Sequence, residues 1–168
     1  MDFLTGPSAT IERVAFNLAA RAPHARFINE MFNPIWVAGL KNGIDSVVLI
    51  AQAGKETAWG HYTGKVPANF YNTCGLKIRD PSLAGPDQEA TMAHAQFASF
   101  SAGADAQAQH WRGYAHLPVA YTLLDPRYVH VYGKGTPVAS VEGMNSRWAG
   151  PTYGTELAAL VNLLKVST

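Results

Sequence analysis

Val47–Gly54, reading VVLIAQAG, carries one polar side chain, Gln52, and its apolar residues fall on nearly every face of a helix. A helix that is apolar all round must be packed on several sides, so the rest of the chain has to be wrapped around it. Asp45 or Ser46 stands where an N-cap is wanted, and Lys55-Glu56-Thr57 closes the helix just before Ala58-Trp59-Gly60. Glu56 therefore sits in the last turn of a central helix. It either marks where that helix reaches solvent or is an acid held at the floor of a cleft.

Elementary electrostatics favours a raised pKa in the second case. Burial beside Trp59 penalises the charged form, and the C-terminal end of a helix carries partial negative charge. Lys55 pulls the other way, but consecutive helical residues point about 100° apart, so it need not face Glu56. A carboxylic acid that keeps its proton near neutral pH is what glycoside cleavage asks of its general acid. Between Ala53 and Arg79 Glu56 is the only acidic residue, whereas Lys55, Lys65, Lys77 and Arg79 are basic. Such a groove suits a substrate bearing carboxylates, although a solvated basic face has the same pattern. Trp59, Tyr62, Phe70 and Tyr71 supply rings on which sugars stack, and about half of them are expected in the core.

Other helices are predicted over residues 8–22, with Ser8 or Thr10 as cap, and over 33–43, with Asn33 as cap, Pro34 in the first turn and Gly43 closing the helix. Residues 61–87 read as loop with a short β-ribbon. Helix returns in 89–100 or 101–117, then near Val138 to Gly143, and finally from a cap at Thr155 with Leu157, Leu160, Val161 and Leu164 on one face. At 168 residues and 48% hydrophobic content, one domain with a real core is expected over 1–168: helices of 1–43 packing on a catalytic region of 44–165. A net charge of +1 gives no argument for nucleic acid, and no apolar run approaches the ~18 residues of a membrane span. Cys74 alone cannot form an intramolecular disulfide. The N-terminus lacks signal-peptide features.

LIAQAGKETAWG (49–60) followed by NTCGLK (72–77) resembles the AQAxxETGWG…NLFGIK signature of bacterial and phage glucosaminidases, glycoside hydrolase family 73. HAQFASFSAGADAQAQHWRGY (94–114) and RWAGPTYGTELAALVNLL (147–164) resemble its two later blocks. The resemblance implies an α+β, predominantly helical, lysozyme-like fold with a small irregular or β lobe after the catalytic helix. It implies cleavage of peptidoglycan glycan strands after N-acetylglucosamine. Glu56 falls on the family's general acid and Asn72 on a cleft-shaping residue. Tyr153, or else Tyr128, falls on a late tyrosine that lines the site. Trp59, Tyr71 and Trp148 would position the strand. The second family carboxylate maps to Glu89 or Asp87, in a segment shorter than usual, and without it the substrate's own acetamido group could serve as nucleophile. Ala58 replaces a usual glycine, to no expected effect, and Cys74 replaces a phenylalanine.

Three rival readings compete. A cysteine peptidase would use Cys74, which lacks the helix start or cationic neighbour that makes a thiolate. A zinc amidase would need clustered ligands, and the histidines are scattered. A wall-binding module would have lost catalysis. The expectation is a monomeric peptidoglycan hydrolase using neither metal nor organic cofactor and not inserting in a membrane. It would act on the bacterial wall as a phage endolysin released through a holin, or as a virion-associated lysin.

Overall fold

The apolar segment does form the central helix. In the computed structural model, which describes residues 1–78 and 91–166, the order of helices is α1 (Ile11–Ala19), α2 (Phe32–Asn42), α3 (Ser46–Thr57), α4 (Phe100–Tyr114), the one-turn α5 (Tyr128–Val131) and α6 (Tyr153–Lys165). Every residue of α3 from Ser46 to Gly54 is buried. It packs against α2 on one side and α6 on another, while α4 crosses α2 and α1 lies on α6. None of the described helices is long and apolar enough to cross a membrane.

Local chemistry sets most boundaries. Asp45 caps α3 by accepting the Val47 N–H at 2.9 Å, and Thr10 rather than Ser8 caps α1. Gly43 ends α2 at φ 65°, in the left-handed region where glycine carries no Cβ penalty. Asn33 does not cap α2, because the chain is already helical through a wide π turn at Phe27–Met31. That wide turn precedes Pro34, whose ring would crowd the carbonyl of residue 30 in a regular α-helix. Thr155 is likewise not a cap: α6 begins at Tyr153, and Asn145 reaches across to accept the Thr155 N–H at 3.1 Å. Leu157, Val161 and Leu164 of α6 are buried as the spacing predicts.

The N-terminal segment is stitched into the same core as the C-terminal helices. Phe3 is fully buried, edge-on to Trp111 at 4.7 Å. Its carbonyl accepts from Asp45 N–H, and its own N–H reaches the Ala139 carbonyl.

The expected β-ribbon shrinks, among the described residues, to a single antiparallel bridge between Lys77 and His94. The rest of the lobe is turns, several of them left-handed, at Tyr62, Tyr71 and Gly75. Its polar groups are met by side chains instead of a ladder, chiefly by Asn72.

Candidate active site

Glu56 lies at a cleft of about 550 Å³ walled by Tyr62, Asn72, Gly75, Lys77, His94 and Trp148. The side chain that engages it comes from the far end of the chain: the Tyr153 hydroxyl donates to Glu56 Oε1 at 2.5 Å. Water reaches the carboxylate on its open side, yet protein crowds it elsewhere. Lost hydration pushes its pKa above the usual carboxylate value, and the Tyr153 hydrogen bond and the charge of Lys55 oppose this without reversing it. Lys55 turns away to pair with Glu156 at 2.8 Å, which holds Glu156 below the usual range. Two glutamates flanking one lysine are thereby driven in opposite directions.

The direction of the Tyr153 hydrogen bond is fixed from beneath. The indole N–H of Trp111 can only donate, and it donates to Gln52 Oε1 at 2.8 Å. Gln107 donates to that oxygen at 2.8 Å and to the Leu49 carbonyl at 3.0 Å, while Thr73 donates to Gln107 Oε1 at 2.8 Å. Gln52 must therefore turn its NH₂ to Tyr153, at 3.2 Å, which leaves the phenol proton for Glu56. Burial, and then the charge of Glu56, push the Tyr153 pKa far up, so it remains a donor. With Oε1 occupied as an acceptor, a proton on Glu56 resides on Oε2. That oxygen faces the loop at Gly75, where an added Cβ would come within 3.9 Å of it.

Asn72 is buried with its whole amide employed. It donates to the Leu76 and Ala95 carbonyls at 2.8 and 2.9 Å, and its Oδ1 accepts from the N–H groups of Cys74 and Leu76. It builds the wall that faces Glu56. Trp148 lines the cleft and stacks on Tyr153 at 6.2 Å, 16° from parallel.

The remaining expected residues lie elsewhere. Trp59 does not line the cleft: its ring covers Gly54, where a Cβ would meet ring atoms at 2.1 Å, and stands edge-on to Phe27. Tyr71 packs edge-on to Phe100 at 5.1 Å. Tyr128, the alternative late tyrosine, is buried against Tyr132 and bonds the Leu117 carbonyl. Glu89, Asp87 and Arg79 lie outside the described residues. Among those described, Glu56 is the only carboxylate lining the cleft, and Lys65 and Lys77 supply positive charge there. Cys74 also lines it, but burial pushes its thiol well up, which opposes the nucleophilic thiolate of a cysteine peptidase. Thr73 and Gln107 carried no signal in the sequence, whereas Tyr62, one of the rings expected to meet either sugar or core, lines the cleft beside His94. Gln52 had a visible signal, as the lone polar residue of an otherwise apolar helix.

Neither the curated proteins nor the solved structures offer a match to this chain. A family model does: that of the glucosaminidases, described as mannosyl-glycoprotein endo-beta-N-acetylglucosaminidase, matches residues 34–165 and so spans α2 to α6, including Glu56, Asn72 and Tyr153. The chain belongs to the glucosaminidase family of glycoside hydrolases.

Proposed function

We propose that this protein is an endo-β-N-acetylglucosaminidase of bacterial peptidoglycan, with Glu56 as its general acid. The observation that supports it most is the hydrogen bond from Tyr153 to Glu56 Oε1, at a cleft where burial raises the acid's pKa. Oε2 then carries the proton and passes it to the glycosidic oxygen as the bond breaks. Tyr153 stays bonded to Oε1 and stabilises the carboxylate that forms. Trp148 offers its half-buried ring to the strand. The positive charge developing on the sugar is met by Glu89 or Asp87, or by the substrate's own acetamido group. Loss of activity in Glu89→Gln or Asp87→Asn would assign it to a side chain, and activity retained in both would assign it to the substrate. The substrate class places its action at the bacterial wall, in the role of an endolysin or virion-associated lysin.

Digestion of purified peptidoglycan by wild type and Glu56→Gln, followed by borohydride reduction of the new ends, tests the reading. Glucosaminitol from wild type alone is the expected result. Muramitol would make the enzyme a muramidase, and an anhydro end would make it a lytic transglycosylase. No new ends, with wall binding intact, would leave a binding module.

A further inference from the structure

Trp148, Gly75 and Lys77 line the Glu56 cleft and also a second recess of about 240 Å³ beside it, which Arg127, Arg147 and His110 complete. Three of its lining residues are cationic, and none of its described lining residues is a carboxylate. The nearby Asp125 does not neutralise the recess from its surface. Its side chain is fully buried, with Oδ2 at 2.7 Å from His110 Nδ1 and Oδ1 accepting the Arg127 backbone N–H at 2.8 Å. Arg127 Nε is buried and has no acceptor among the described residues. Arg127 thus brings to the recess a guanidinium that the described residues leave incompletely satisfied.

We infer that this recess is a subsite for a carboxylate carried on the stem peptide of the glycan strand, next to the sugars bound over Glu56. The inference rests on the peptidoglycan reading of the main cleft. The volume admits a short branch but is too small for a further run of sugar rings. Planar guanidinium groups match a carboxylate edge, which a neutral glycan does not present. The recess would therefore favour acidic stem peptides over amidated ones.

Binding by the Glu56→Gln protein, which is expected not to cut, tests this apart from catalysis. Three soluble strand preparations are compared: stem peptides intact, their carboxyls converted to amides, and peptides removed to leave the lactyl carboxylate. Intact strands should bind about fivefold more tightly than amidated ones, the scale of a partly exposed ion pair, and stripped strands should match the amidated ones. Adding Arg147→Gln, a change at an exposed side chain, should abolish the preference, as should Arg127→Gln. A preference that survives both changes would overturn the subsite. Stripped strands binding as tightly as intact ones would overturn the stem peptide as its source. Failure of wild type to release sugar ends would count against the hydrolase reading alone, because the binding comparison needs no turnover.

Discussion

The two sides of the cleft are built by different physics. The floor is a buried network in which α3, α4 and α6 share Gln52, Gln107, Trp111 and Tyr153, each hydrogen bond directed by a donor or acceptor that has no alternative. The wall, as far as the described residues form it, is a run of turns held chiefly by Asn72 and one β-bridge, with Tyr62, Thr73 and Thr91 adding single side-chain bonds. A satisfied polar network in a low-dielectric interior is rigid and costly to interrupt, whereas turns joined by scattered single bonds yield locally. The floor thus suits holding a proton on one oxygen of Glu56. The wall suits admitting a polymer.

Changes to the floor should act on chemistry. Glu56→Gln should lower kcat by about 10³-fold, the scale of a lost general acid, read as new reducing ends. Its stability should move the other way. Burial holds the folded pKa of Glu56 above the unfolded one, so its ionisation costs stability once pH rises past the unfolded value, in full above the folded one. Glutamine escapes that cost. The variant's Tm should exceed that of wild type increasingly as pH rises, and the two should converge in acid.

Tyr153→Phe keeps the ring on Trp148 and removes only the hydroxyl. Losing a hydrogen bond to a charged group should cost on the order of tenfold or more in kcat. The Tyr153 bond lowers the Glu56 pKa, so its loss should move the alkaline limb of the kcat–pH profile to higher pH. An unmoved limb would place the hydroxyl's role outside the titration of Glu56. Gln52→Leu strikes beneath it, stranding the Trp111 N–H and one Gln107 donor in the core. About 3 kcal/mol of stability should be lost, a fall in Tm on the order of 10 °C.

Asn72→Ala tests the wall. It leaves the Leu76 and Ala95 carbonyls and two backbone N–H groups short of partners in a segment that water can enter, so about 2 kcal/mol is expected. KM should rise more than kcat falls, because Glu56 and Tyr153 stay in place. A kcat loss as large as that of Tyr153→Phe would mean that wall and floor act as one unit.

The same contrast explains what was legible in the chain. The floor's helix was readable because an apolar run with one glutamine leaves few alternatives, and Glu56 at its end followed from counting turns. Its partner was not readable from spacing: Tyr153 stands 97 residues away, and only its likeness to a family tyrosine marked it. Trp59 and Tyr71 misled because a ring suits a sugar or a core equally. What sent Trp59 inward is Gly54, whose missing Cβ leaves the space its ring fills. The ribbon was over-read because turn residues and strand residues alternate in this lobe, and Asn72 replaces a ladder with side-chain bonds.

Ala58 joins floor to wall, and its reading as a neutral replacement for glycine needs correcting. It caps α3 at φ 49°, followed by Trp59 at φ 54°, so two consecutive side-chain-bearing residues occupy the left-handed region. A Cβ there costs about 1 kcal/mol or more, and glycine avoids that cost while giving back about 0.5 kcal/mol or more in chain entropy. Ala58→Gly should therefore raise stability by about 0.5 kcal/mol, a shift of one or two degrees in Tm by the ~2–4 °C per kcal/mol typical of this size. Its kinetic signature matters more than its size. Glu56 is two residues upstream, inside the helix, and is held by Tyr153 from another element, so kcat should not change. If kcat moved while Tm rose, the strained turn after α3 would be tuning the acid, and floor and wall would be coupled through the backbone at Ala58.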